Sequence, residues 1–244
     1  MNNINIPPIV KNLLIINILF FAASYVFEAK GIDLATYLGA FYFDSPYFKI
    51  WQPITYMFMH GGFTHILFNM FALFTFGGVL EYKWGAKRFI NFYLITGLGA
   101  LALQWGVQAF EVYQITGTSM AHNIIPLGSL EKGMYNPQTY SAAQASTLAG
   151  IYFGPMVGAS GAIFGLLVAF GMLFPNAELF IMFIPVPVKA KYIIPIYILI
   201  ELSLGVAQFQ GDSVAHYAHL GGALLGFILV KLWKDKNTFY DYHE

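Results

Sequence analysis

Apolar residues run along this chain in long blocks, with polar residues gathered between them. A run of roughly 20 apolar residues crosses the hydrocarbon of a bilayer. Six blocks approach that length, at residues 10–28, 62–81, 88–110, 155–175, 191–209 and 213–233. The first has the form of a secretory leader, with Lys11 ahead of it and Ala22, Ala23 and Ser24 as a cleavage region. It is long, however, and helix-sized blocks continue behind it, so we read it as a retained helix. No internal repeat is visible. The pattern predicts an all-α polytopic membrane protein, a bundle of six transmembrane helices forming one membrane domain over residues 1–244.

The connections orient the bundle. With the N-terminus in the cytoplasm, nine cations fall inside: Lys11, Lys83, Lys87, Arg88, Lys189, Lys191, Lys231, Lys234 and Lys236. Three fall outside: Lys30, Lys49 and Lys132. That excess follows the positive-inside rule and places both termini in the cytoplasm. Two outside loops stand out. Residues 29–61 carry Phe41, Tyr42, Phe43, Tyr47, Phe48 and Trp51, which suggests a segment lying in the membrane interface. Residues 111–154 are rich in Gly, Ser, Thr, Asn and Gln, and loops that long are uncommon unless functional or disordered.

Composition narrows the function. The 244 residues are 58% hydrophobic and 10% charged, with a mean hydropathy of +0.62. Soluble domains carry about 25% charge, so the solvent is a bilayer. Lys plus Arg equals Asp plus Glu at 12 each, which gives no electrostatic case for nucleic acid. With no cysteine, disulfides, thiol catalysis and iron–sulfur ligation are excluded.

Polar residues inside the blocks mark a candidate site. In this topology the 62–81, 155–175 and 213–233 spans all run from outside to inside. Near their outer ends lie His65 and Asn69, then Ser160, then His216 and His219. His65 and Asn69 are four apart and share a helix face. At about 1.5 Å per residue, His65, Asn69, Ser160 and His219 all lie very roughly 5–12 Å below the outer boundary. Polar groups in a membrane usually face the bundle interior or a water-filled cavity. Gly161 and Gly165, and likewise Gly222 and Gly226, form small-xxx-small faces that allow close helix approach. That approach would bring the Ser160 hydroxyl to the His219 imidazole.

A serine hydroxyl needs a base to take its proton before it attacks, and histidine is the natural base near neutral pH. Unpaired N–H groups where the Ser160 helix begins, with His65 and Asn69 as side-chain donors, could then stabilise an oxyanion. No Asp or Glu lies at this depth on these three helices, so the expectation is a Ser–His dyad without metal or cofactor.

These motifs resemble those of the rhomboid intramembrane serine proteases, over about residues 50–230. GASG at 158–161 is similar to the family's GxSG nucleophile motif, which gives that role to Ser160. AHLGGALLG at 218–226 is similar to its last-helix histidine motif, which makes His219 the base. HGGFTHILFN at 60–69 is similar to its second-helix motif, which sets His65 and Asn69 at the oxyanion. The resemblance implies a serine endopeptidase acting on the transmembrane segments of other membrane proteins, near their outer ends. It implies a water-filled cavity open to the outside, gated by a mobile fifth helix or cap loop, in a bacterial plasma membrane. Two positions depart from the family. WQPIT at 51–55 has Gln52 where the family has arginine, and Phe164 stands where many members have a tyrosine packed on the histidine.

Three rival readings remain. A metal-dependent enzyme could draw on His60, His65, His216 and His219, but no HExxH occurs and no carboxylate sits at that depth. A transporter or channel could relay protons through Glu201, in the middle of the 191–209 span. The bland alternative is a Glu201 hydrogen-bonded to a neighbouring helix. A catalytically inactive rhomboid-like chaperone is the third, although Ser160 and His219 are both present.

Overall fold

The structure, a computed structural model, describes residues 6–180, 186–207 and 215–233. Seven helices of more than four residues organise it: α1 (Pro8–Glu28), α2 (Phe63–Trp84), α3 (Ala86–Thr116), α4 (Ala142–Phe153), α5 (Ser160–Leu173), α6 (Ala190–Ala207) and α7 (His216–Leu232). The chain has the all-α polytopic membrane architecture expected. By length and composition α1, α2, α3 and α6 can cross a membrane, while α5 and α7 are shorter apolar helices of 14 and 17 residues. Positions 208–209 and 213–214 of the anticipated spans, with Lys234 and Lys236, lie outside the described residues.

Buried neighbours explain the short α5. It carries apolar or small residues nearly all round and is buried along most of its length, as expected of a helix surrounded by protein. It need not match the bilayer because other helices enclose it. α7 packs along both α3 and α5, and these three form the centre of the bundle. Glycines set that spacing. A Cβ on Gly222 would stand 1.8 Å from the Gly161 carbonyl oxygen, and one on Gly226 would stand 2.7 Å from the Gly165 Cα. Gly161 and Gly165 in turn press on Ala100 and Thr96 of α3. The small-xxx-small faces therefore join three helices, not two.

α5 starts at Ser160, five residues later than the span anticipated at 155. Gly154 and Pro155 interrupt helix, and Gly158 has a φ of 132°, a region that disfavours any residue with a Cβ. Elsewhere a π-helical turn at Leu73–Gly77 interrupts α2. The buried carboxylate of Glu81 in α2 accepts the N–H groups of Ile9 and Val10, at 2.9 and 2.7 Å, closing the open start of α1. Near α6, strands β1 (Glu178–Phe180) and β2 (Pro187–Lys189) form an antiparallel pair that the hydrophobic pattern did not suggest.

The two long connections, 29–61 and 111–154, are more ordered than their composition implied. α3 runs on to Thr116, so 111–116 is helix and not loop. α4 occupies 142–153, started by a capping box between Ser141 and Gln144. Its inner face joins Tyr42, Val112, Ala121, Ile125 and Leu130 in a second small core. The aromatic 29–61 segment is only partly an interfacial surface. Phe41 and Tyr42 are buried, and Phe43 and Phe48 pack edge-on against Trp105 of α3. Tyr37, Ile50, Trp51 and Ile54 remain exposed.

Candidate active site

The segment before α5 is held from one side. Ala40 and Met156 exchange backbone hydrogen bonds at 2.9 and 2.8 Å, and the Gly158 N–H reaches the Tyr56 carbonyl at 3.0 Å. Tyr56 is itself fixed through its hydroxyl to the Gly97 carbonyl of α3. The connection at 29–61 thus braces the turn that presents Ser160. Gln52, standing where the family carries a cation, is fully buried. Its Oε1 accepts the N–H groups of Lys49 and Phe41, and its Nε2 donates to the Tyr47 carbonyl. A neutral amide therefore closes this loop through three backbone hydrogen bonds.

Ser160 is the first residue of α5. Its Oγ lies 2.8 Å from Nε2 of His219 on α7. The Phe164 ring, one helical turn below Ser160, stacks on the His219 imidazole with centroids 4.3 Å apart and planes 7° from parallel. The departure at position 164 keeps the flat support and omits the hydroxyl. The His216 Nδ1 points to Glu201 at 2.7 Å.

His65 approaches from α2. A Cβ built on Gly158 would lie 2.9 Å from His65 Nε2 and 3.4 Å from Ser160 Oγ, so the ring nitrogen and the hydroxyl flank one small space. The Gly61 N–H points at His65 Nδ1 over a long 3.4 Å. With Nδ1 accepting, Nε2 carries the hydrogen and faces that space. Asn69 is buried, and its Nδ2 donates to the His65 carbonyl at 2.8 Å. One of its two amide hydrogens is thereby used within α2. His60 is buried and packs edge-on against His65. Burial, helped by the nearby His65, pushes its pKa down to about 4, so it is neutral at physiological pH.

One feature of the cluster differs from the expectation. Glu201 Oε2 lies 2.8 Å from Nδ1 of His219, on the far side of the ring from Ser160. The expected dyad therefore has a carboxylate beside it, supplied by α6. The same carboxylate removes one ground for setting a metal aside. Glu201, His216 and His219 offer three buried ligand atoms within 4.8 Å of one another. Their O–N separations of 2.7 and 2.8 Å match hydrogen bonds, whereas ligands on a tetrahedral zinc stand about 3.3 Å apart. The signal for Glu201 was present in the sequence. Counted from the Ala207 end of α6, the end that leads into α7, it lies six residues in, about 9 Å, comparable to the depth inferred for the other four groups. Because α6 runs opposite to α5 and α7, its depth has to be counted from its C-terminal end rather than from a helix start.

A polar knot joins the 29–61 and 111–154 connections. Asp44 accepts Tyr152 OH and the N–H groups of Ala121 and His122, and its other oxygen contacts His122 Nδ1 at 2.7 Å. Burial opposes its ionisation, but these hydrogen bonds outweigh burial and hold its carboxyl below the ordinary value.

A family model for the rhomboid domain matches residues 47–234. An uncharacterised mitochondrial rhomboid protein of Schizosaccharomyces pombe is 25% identical over 78% of this chain and 53% of its own length. Mitochondrial rhomboid protein 1 of Saccharomyces cerevisiae is 29% identical over 70% of this chain and 38% of its own. The chloroplastic rhomboid-like protein 11 of Arabidopsis thaliana is 26% identical over 90% of this chain and 63% of its own. The chain thus spans between about a third and two thirds of these relatives. Their names refer to organelles, so the expected bacterial plasma membrane gains no support from them; a multi-pass membrane protein does.

Proposed function

Because the chain belongs to the rhomboid family, we propose that it is an intramembrane serine endopeptidase, acting as one membrane domain on membrane-embedded protein substrates. The observation that carries the reading is the 2.8 Å contact between Ser160 Oγ and His219 Nε2 at the start of a buried helix. Ser160 is the nucleophile. As Oγ bonds to the scissile carbonyl carbon, its proton passes to His219 Nε2, and the carbonyl electrons move onto oxygen. The resulting oxyanion is met by first-turn N–H groups of α5, by His65 Nε2–H and by the remaining amide hydrogen of Asn69. When the C–N bond breaks, the Nε2 proton goes to the leaving amine. Water then attacks the acyl-enzyme, with His219 again as base.

The charge split of the loops supports a site that opens on the side opposite the cytoplasm, with both termini cytoplasmic. No step calls for a metal or a cofactor. Purified protein with a defined transmembrane substrate tests the reading. Ser160→Ala and His219→Ala each abolish cleavage, and the double variant is no worse than either, since the two act as a unit. His216→Ala remains measurably active, and chelators leave the rate unchanged. Cleavage by Ser160→Ala would end the proposal.

A further inference from the structure

We propose that Glu201 is a positioning residue for His219, so that the site is a Ser160–His219–Glu201 triad drawn from three helices. The inference rests on the protease reading above and adds a residue to it.

For His219 Nε2 to accept the Ser160 proton, Nε2 must be bare, so the single hydrogen of the neutral ring sits on Nδ1. That Nδ1 faces Glu201 Oε2 at 2.8 Å. The same oxygen also receives His216 Nδ1 at 2.7 Å. Two N–H donors converging on one oxygen suit an ionised carboxylate, which has lone pairs for both. A carboxylic acid protonated on that oxygen would have to be a donor to one of the rings. All three side chains are buried, and a buried carboxylate without partners is very costly. The two imidazoles remove that cost. This gives His216 a role that does not involve Ser160: it is the second donor that keeps Glu201 charged and in place.

Packing fixes the carboxylate against the ring. Gly205 of α6 leaves room for His216, whose Cβ would be 3.2 Å from a Cβ at 205. Tyr217 OH donates to the Gly205 carbonyl at 2.9 Å. The α6 turn just beyond Glu201 is thus joined to the first turn of α7. During acylation the Ser160 proton moves to Nε2 and the ring becomes an imidazolium. Glu201 keeps its negative charge and takes no proton; it holds the tautomer and stabilises the cation formed beside it.

The test compares Glu201→Gln and Glu201→Asp with wild type, and reads the histidine tautomers by 15N NMR. In soluble triads, losing the carboxylate that fixes the tautomer lowers kcat by about 10⁴-fold. Here Glu201→Gln, with the same shape and no charge, should lower kcat by about 10²–10⁴-fold while KM is kept, and Glu201→Asp should recover part of the loss. In wild-type protein both His216 and His219 should carry their hydrogen on Nδ1. Wild-type kcat in Glu201→Gln, or a wild-type His219 protonated on Nε2, would overturn the proposal. If Glu201→Gln does not fold, the wild-type tautomer decides alone. A wild type that fails to cut at all counts against the protease reading, and the tautomer still decides the placement of Glu201.

Discussion

Gly222→Ala is the substitution whose effect follows most directly from packing. The added Cβ would lie 1.8 Å from the Gly161 carbonyl oxygen and 2.6 Å from its carbonyl carbon. Non-bonded heavy atoms sit at about 3.5 Å, and both opposing atoms are backbone, so neither can swing aside. The α5 and α7 backbones must part there by about 1.5 Å. His219 is less than one turn from Gly222, and Ser160 is next to Gly161. The 2.8 Å Oγ to Nε2 contact therefore stretches beyond hydrogen-bond range. Misplacement of about 1 Å can cost about 10²-fold in rate, and overpacking costs about 1–3 kcal/mol of stability. The expected outcome is a kcat lower by about 100-fold or more, with a reduced Tm. Gly226→Ala, 2.7 Å from the Gly165 Cα and one turn further from His219, should do less. Gly150→Ala on α4, where a Cβ meets nothing within 4 Å, should behave as wild type. The assay is cleavage of a fluorogenic transmembrane substrate in detergent, with Tm measured on the same samples. Wild-type kcat in Gly222→Ala, or equal damage from Gly150→Ala, would refute the view that this crossing sets the catalytic distance.

Other outcomes follow from single residues. Asn69→Ala should slow cleavage by about 10²–10³-fold at unchanged Tm; full activity would remove Asn69 from the oxyanion site. Asp44→Ala strands the N–H groups of Ala121 and His122 and the Tyr152 hydroxyl, and should cost about 2 kcal/mol or more. Because the folded Asp44 carboxyl is held below its ordinary value, its contribution is complete above about pH 4 and drains away as pH falls through the folded value. The Tm gap between wild type and Asp44→Ala should therefore close in acid, and a gap independent of pH would contradict this. A reporter fused after residue 234 should be cytoplasmic and one inserted near Lys132 should lie on the opposite side; the reverse would invert the proposed orientation.

The helical blocks were legible because a bilayer demands continuous apolar stretches, and composition alone marks them. Their ends were less so. The start of α5 depended on Gly154, Pro155 and the φ of Gly158, a local matter that a hydropathy window averages away. The 111–154 connection looked like loop because its apolar residues are sparse, and the 29–61 segment looked interfacial because it is aromatic. Their order comes from partners distant in sequence, such as Tyr42 with Tyr152 and Asp44 with His122. The Ser141 and Gln144 capping box is legible as SAAQ at 141–144. The depths of Ser160, His65 and His219 agree and follow from sequence, and the structure brings these side chains together. Glu201 obeys the same rule on a helix running the other way. Gln52 could not be read from sequence, since its value lies in three backbone groups that only the folded loop brings together.

The central claim is that Ser160 is an activated nucleophile. The most direct measurement is reaction of the purified, folded protein with a fluorophosphonate probe, followed by mass spectrometry of the adduct. The account predicts one adduct, on Ser160, lost in Ser160→Ala and strongly slowed in His219→Ala. No adduct on folded wild-type protein, or an adduct on another serine that survives Ser160→Ala, would contradict it.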